Sequence, residues 1–203
     1  LTVKHPKIVS KGPSDFGLCT LADSEFKIDL TDNQPITTKP YSLNRVYEAQ
    51  LREVIDDMVD NKLLTPESSS FSSGVFIRPR PDASNTNNFR IRCITDFRQL
   101  NAKTVQDLYP LPSMKMLLQK LNGMKHFILL DLKDSYYSIP IKKSDRYKAS
   151  ILTSFGQFTP DRMSYGFSNA ANWFSRQIAR VIEGLPGCSH YMDDCIIYGR
   201  TQE

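Results

Sequence analysis

The stretch Cys188-Ser189-His190-Tyr191-Met192-Asp193-Asp194-Cys195-Ile196-Ile197-Tyr198 decides how this chain must fold. A β-prone run follows two adjacent carboxylates, which is the pattern of a hairpin that carries acids at its turn. Half-buried acid pairs repel each other and lose hydration, so they persist mainly where positive charge compensates. Aspartate offers hard oxygen donors, and Mg²⁺ takes one or two protein carboxylates together with substrate phosphates. A third carboxylate comes from Phe127-Ile128-Leu129-Leu130-Asp131, where four apolar residues in a row predict a buried strand with Asp131 at its C-terminal end. Three donors from two segments are the minimum apparatus for holding two ions about 3.5–4 Å apart for in-line phosphoryl or nucleotidyl transfer. Taken singly, Asp193 and Asp194 also fit a solvated turn, and Asp131 fits a strand end or a helix cap. Only the two segments together point to a metal.

The whole chain narrows the reading. It has 203 residues, 40% of them hydrophobic and 24% charged, which excludes a disordered segment and allows one large domain or two small ones. No apolar run approaches the roughly 20 residues of a membrane span, and the N-terminus lacks a signal-peptide pattern, so no membrane partner is expected. Cys19, Cys93, Cys188 and Cys195 show no Cys-x-x-Cys spacing, which argues against zinc and fits a reducing compartment without disulfides. Cys93 and Cys195 lie in apolar runs and are expected to be buried thiols. His5, His126 and His190 are too scattered for a metal triad and read as incidental. Net charge is +4, but Arg78, Arg80, Arg90, Arg92, Arg98 and Lys103 crowd one stretch against Asp82 and Asp96. That is a solvated basic face or, with an acid site nearby, a phosphate-contacting surface.

Residues 1–40 read as irregular, with one short strand over Phe26–Leu30. Apolar residues recurring from Asn44 to Leu64 predict a helix ended by Pro66 and Ser68-Ser69-Ser70. Two strands, Phe71 to Arg80 and Phe89 to Phe97, flank a polar loop over 81–88 that suits a flexible phosphate clamp. Pro110 to Leu121 predicts a helix, the strand of Asp131 follows, and a hairpin turns around Ser154-Phe155-Gly156. A helix over 168–183 has Ser168 as its cap and Ala170, Ala171, Phe174, Ile178 and Ile182 inside. The order after residue 120 resembles a split βαβ layout, an antiparallel sheet backed by helices in an α+β fold.

Five ordered motifs resemble reverse transcriptases of the long-terminal-repeat retrotransposon and retrovirus group, with gypsy-type elements the nearest in flavour. Arg92-Cys93-Ile94-Thr95-Asp96-Phe97-Arg98-Gln99-Leu100-Asn101 resembles the fingers-strand signature, and Tyr109-Pro110-Leu111-Pro112 the link into the palm. Leu130-Asp131-Leu132-Lys133-Asp134-Ser135-Tyr136-Tyr137 is similar to the first catalytic motif. Met163-Ser164-Tyr165-Gly166-Phe167-Ser168-Asn169-Ala170 is similar to the nucleotide-proximal motif, and Tyr191-Met192-Asp193-Asp194 to the catalytic hairpin.

The resemblance implies a right-hand polymerase's fingers (41–108, with part returning within 141–165) and palm (109–203), the palm a ferredoxin-like antiparallel sheet backed by helices. It makes Asp131, Asp193 and Asp194 catalytic ligands of two Mg²⁺ ions, with Mn²⁺ as an alternative and the Leu132 carbonyl completing one shell. Arg92 and Arg80 would contact the triphosphate, although Pro79 and Pro81 interrupt the usual lysine run, and Asp134 would help bind it. Tyr136 would exclude a ribose 2′-hydroxyl, and Tyr165 and Gly166 would line the nucleotide pocket. Ser164, Phe167, Ala171 and Ser175 depart from the family pattern (proline, leucine, proline and glutamine respectively), changes that alter pocket shape rather than remove a catalytic atom.

The implied activity is Mg²⁺-dependent, RNA-directed DNA synthesis on a primer, with RNA or DNA template, dNTP and the remaining Pol domains (thumb, ribonuclease H, integrase) as partners. Cytoplasmic retroelement particles or the nucleus would be its location. Thumb and ribonuclease H lie outside these 203 residues, so the alternative is a non-catalytic remnant that binds nucleic acid or a partner.

Overall fold

The computed structural model describes residues 10–12, 15–82 and 85–201, with the side chains of residues 79–90 outside that description. His5, Arg80 as a side chain, and the tip of the expected 81–88 loop therefore lie outside the described residues. Along the chain run α1 (Arg45–Asp60), β1 (Leu64–Pro66), β2 (Ser73–Asp82), β3 (Asn85–Thr95), α2 (Arg98–Lys103), α3 (Met114–Leu121), β4 (His126–Asp131), β5 (Ile151–Thr153), β6 (Gly156–Pro160), α4 (Ala170–Ile182), β7 (Cys188–Tyr191) and β8 (Asp194–Gly199). The chain clusters into two units. One comprises Leu1–Ser24, Gln106–Ile139 and Asn169–Glu203, and the other Glu25–Val105 and Pro140–Ser168.

The Glu25–Val105 and Pro140–Ser168 unit is built on a five-stranded sheet of order β1-β6-β5-β2-β3. Its pairings are antiparallel except β2 with β5, which run parallel through Ser73 and Gly74. Pro79 and Pro81 sit in β2 beyond that short pairing, where one edge of the strand has no ladder and a missing N–H does no harm. The two strands extend well into the expected 81–88 loop, with a register shift at Pro81/Asp82, so the clamp is mostly hairpin. α1 starts where the Asn44 side chain accepts the Tyr47 N–H at 2.9 Å and buries Leu51 and Ile55. It stops at Asn61, short of the expected Leu64, because Lys62 takes a φ of 57° and turns the chain into β1. Phe26 and Leu30 make only isolated bridges, to Ile141 and Thr104, so the short strand expected there is not formed. Phe167 stacks on Phe97 at 4.2 Å between ring centres and leans on Phe26 at 5.3 Å, forming the aromatic centre of this core.

The other unit holds a three-stranded antiparallel sheet of order β4-β8-β7, with α3 and α4 against β7. α4 buries Ala170, Phe174, Ser175 and Gln177, so two polar residues replace the expected Ile178 and Ile182. Asn169 rather than Ser168 is its N-cap residue. Asn169 faces the preceding segment, where its Oδ1 accepts the Asp107 N–H at 3.1 Å. Arg176 clasps Asp107 through two bonds of 2.6 and 2.8 Å and lies over the Tyr109 and Trp173 rings. α3 is shorter than expected and buries no residue fully. β4, expected to be buried, is exposed along its whole length, with Leu129 67% exposed. It is the edge strand of that sheet, so one flank has no neighbour.

Candidate active site

The acids are set out by strand register. β4 and β8 pair residue by residue from His126 with Gly199 to Asp131 with Asp194, which puts these two carboxylates directly opposite each other on one face. β7 and β8 pair up to Tyr191 with Asp194, leaving Met192 and Asp193 as a two-residue turn. Met192 takes a φ of 53°, the first-position conformation of a tight hairpin turn and a strained one for a side chain of this kind. Asp131 and Asp194 are exposed and Asp193 is half-buried, and none of the three joins an ion pair among the described residues. Uncommitted hard oxygen donors of this kind suit a divalent cation such as Mg²⁺. Among the described residues, no three carboxylate, imidazole or thiol side chains converge closely enough to hold an ion as they stand. Three like charges gain nothing by approaching one another.

The chain leaving Asp131 carries the next features. Leu132 is half-buried, and Asp134 adopts a left-handed conformation, φ 45° and ψ 40°, which Asp tolerates better than most residues. Asp134 pairs weakly with Lys133 at 3.8 Å. The 3-10 turn Ser135–Ser138 follows and fixes Tyr136 edge-on to Phe174 at 5.4 Å, an interaction that holds the phenol ring in one orientation. His190, read from sequence as incidental, hydrogen-bonds the Met192 backbone, and burial lowers its pKa. That bond ties it to the acidic turn. No single-sequence signal marks a lone histidine for that role.

The other unit presents the basic and glycine-bearing residues. Arg92 is exposed and stands opposite Arg78 in the β2–β3 ladder. Like charges directly opposite are unfavourable, and their persistence suits an anion-binding surface. The register continues to Arg80 opposite Arg90. Tyr165 is 52% exposed, and Gly166 takes a φ of 105°, which L side chains rarely adopt. The turn they occupy is clamped by Asn101. Its Nδ2 donates to the Gly166 carbonyl at 2.8 Å and its Oδ1 accepts the Ser168 N–H at 2.9 Å. α2, which carries Asn101, was not foreseen; six residues are too few to show a helical period. Beside it Asp96 accepts twice from the Arg98 guanidinium, at 2.7 and 2.8 Å, once from the Arg98 N–H at 3.2 Å, and from the Tyr41 hydroxyl at 2.7 Å. The Arg98 guanidinium, then Tyr41, hold its carboxyl well below the usual range. Cys93 is half-buried rather than buried, and its thiol is pushed up to about 12 by desolvation. Cys195 is buried as expected.

The chain is 30% identical over 177 residues to the retrovirus-related Pol polyprotein from transposon 297 of Drosophila melanogaster, covering 86% of this chain and 16% of that protein. It is 28% identical to the polyprotein from transposon opus of the same organism, covering 98% of this chain and 20% of that protein. It spans only a small part of these curated relatives. In fold it is similar to the prototype foamy virus protease-reverse transcriptase, with a TM-score of 0.84 at 22% identity over 98% of this chain and 26% of that one. A second structure of a foamy viral protease-reverse transcriptase, in complex with an RNA/DNA hybrid, matches with a TM-score of 0.83 at 20% identity over 99% and 26%. The fold is thus the α+β fingers-and-palm fold of a polymerase. The model of the family described as reverse transcriptase (RNA-dependent DNA polymerase) matches residues 79–203, a span that takes in β3 of the basic hairpin, the Gly166 turn and all three aspartates. By that match the chain belongs to the reverse transcriptase family.

Proposed function

We propose that this chain is the fingers and palm portion of a retroelement Pol polyprotein and catalyses template-directed transfer of dNMP to a primer 3′-hydroxyl. The observation that carries the proposal is the β4–β8 register, which sets Asp131 opposite Asp194 with Asp193 in the adjoining turn. Asp131 and Asp193, supported by Asp194 and the Leu132 carbonyl, would hold two Mg²⁺ ions. When bound, the metal supplies acidity at the primer hydroxyl and neutralises charge on the triphosphate. Arg92, with Arg80 and Asp134, meets the phosphates. Tyr136, its ring braced by Phe174, meets the sugar and sorts dNTP from rNTP. Tyr165 and Gly166 form the nucleotide wall. Template and primer are held through phosphates, so binding is salt-sensitive and largely independent of sequence.

The test is Mg²⁺-dependent dTTP incorporation on oligo(dT)-primed poly(rA). It is run with this chain and with a form extended by the residues that follow in its relatives, each beside Asp193→Asn. Incorporation by either form that Asp193→Asn abolishes, with folding retained, is the expected result. Substantial activity in Asp193→Asn would sink the site assignment. Silence from both forms, with folding intact and salt-dependent duplex binding, would leave a nucleic-acid-binding module without catalysis.

A further inference from the structure

Residues 10–12 and 15–24 form no strand or helix, yet they fasten onto the chain that leaves Asp131, within the same unit. The Lys133 ammonium donates to the Gly12 carbonyl at 2.5 Å and stands over the Phe16 ring, 5.5 Å from its centre. Phe16 in turn meets Tyr137 edge-on at 5.7 Å. The Cys19 N–H donates to the Ser138 carbonyl at 2.7 Å. Further along, the Ala22 and Ser24 carbonyls accept from Arg180 and the Trp173 indole of α4, at 2.8 and 3.0 Å. What the first of these contacts tie down is a turn too short to persist by itself, the single 3-10 turn Ser135–Ser138. α4 supplies Phe174 against Tyr136 in that turn, while residues 10–24 supply Phe16 against Tyr137 and Cys19 against Ser138. A recess of about 600 Å³ opens beside these contacts, with Leu18, Cys19, Asp131, Lys133, Phe174 and Ile178 in its lining. Groups that border open space forgo packing contacts on that side, so the named bonds and the Phe16 ring weigh more.

We propose that residues 10–24 are a strap that sets the position of Tyr136 relative to Asp131, with Phe16 and Lys133 as its positioning residues. The inference rests on the proposed meeting of Tyr136 with the sugar. Phe16 holds Tyr137, the neighbour of Tyr136 in one short turn, so a shift at Tyr137 passes to Tyr136 through the backbone. Lys133 holds the chain between that turn and Asp131. Neither side chain is asked to meet the nucleotide. Both act by placing a group that does, and reactions are sensitive to displacements of about 1 Å in such groups.

The test pairs the incorporation assay, run with the extended form, with amide exchange in the ¹⁵N-labelled chain. Phe16→Ala should lower the preference for dTTP over UTP about fivefold, the worth of one aromatic pair. Lys133→Met should lower it to a similar extent, whereas Lys133→Arg, which keeps a donor for Gly12 and a cation over Phe16, should restore it. Because Phe16 acts through Tyr137, Phe16→Ala should add nothing to the effect of Tyr137→Leu. In the exchange experiment the Cys19, Tyr137 and Ile139 amides, each hydrogen-bonded in or to the turn, should quicken about fivefold in Phe16→Ala. The Trp173 indole N–H, at the other anchor, should exchange as in the wild type. An unchanged sugar preference in Phe16→Ala, with those amides quickened, would reduce the segment to a structural role and overturn the proposal. Tyr137 and Ile139 amides indifferent to Phe16→Ala would overturn it as well, and that measurement needs no catalysis. Failure of incorporation in every form counts instead against the polymerase reading, and exchange then judges the strap alone.

Discussion

Replacing Asn101 by alanine should destabilise the chain by about 1 kcal/mol and weaken dNTP use, because one side chain closes a turn 65 residues away. Asn101 gives one bond to the Gly166 carbonyl and takes one from the Ser168 N–H, at 2.8 and 2.9 Å. Each such bond is worth about 0.5–1.5 kcal/mol net. Both lie where water can replace a lost partner, so the lower half of that range applies, about 1–2 kcal/mol together. Alanine's better helix propensity in α2 returns about 0.5 kcal/mol, which leaves a loss of about 1 kcal/mol. Asn101→Asp separates the two bonds. It keeps the acceptor for Ser168, loses the donor and sets a carboxylate against the Gly166 carbonyl. It should therefore be at least as unstable as the alanine variant at neutral pH and recover partly as the carboxyl protonates. Urea unfolding measures both. On the proposed nucleotide-pocket role of Tyr165 and Gly166, which ride on the clamped turn, the KM for dTTP in the incorporation assay should rise as well. An Asn101→Ala variant within about 0.3 kcal/mol of wild type, or an aspartate variant as stable as asparagine, would refute the clamp.

Two glycines near the hairpin should respond differently to alanine. Gly187 has a φ of 68° and a Cβ there would sit 2.5 Å from the Tyr198 carbonyl oxygen, so Gly187→Ala should cost more than about 2 kcal/mol. Gly184 has a φ of 77° but open space, so Gly184→Ala should cost only about 1 kcal/mol; equal losses in thermal unfolding would show that the clash is relieved freely. Acid should destabilise the chain through Asp96. Its carboxyl is held below the ordinary 3.8, so its contribution is complete above that pH and lost as pH falls toward the lowered folded value. Asp96→Asn should therefore be the less stable variant at neutral pH and show a flatter decline in urea midpoint below about pH 4. A parallel decline in both proteins would remove Asp96 from the account.

What could be read in sequence was local. The hairpin at 188–198 announced itself through a β-prone run beside two acids, and the strand ending at Asp131 through four apolar residues in a row. The pairing that joins them is a long-range choice that no single segment encodes. The same holds for the larger unit, where β1 pairs with β6 through Leu64 and Pro160, and β2 runs parallel to β5. Apolar content also misled. The run before Asp131 suggested burial, but β4 is an edge strand and its leucines and isoleucine stay exposed. Conversely, Ser175 and Gln177 look like exposed helix positions and are buried, because the face α4 turns inward is set by the elements around it rather than by its own composition.

Since β4 gains little from burial, the placement of Asp131 against Asp194 depends on the ladder to β8 and on what pins its register. A slip of one residue would turn every side chain of β4 to the other face and separate the two carboxylates. One contact guards the β4–β8 register, and two others guard the β7–β8 register that places Asp193. At the far end the Lys125 N–H reaches the Gly199 carbonyl at 3.0 Å, beyond the last ladder pair. At the β7 side the Tyr198 N–H reaches the Gly187 carbonyl at 2.7 Å, a bond that requires the close backbone approach only glycine allows there. At the acid end Met192 holds a positive φ that closes the turn in two residues, and a longer turn would admit other registers. The Met192 turn thereby keeps Asp193 next to Asp194 at the end of the hairpin. Within these residues the register of Asp131 against Asp194 is kept by backbone hydrogen bonds.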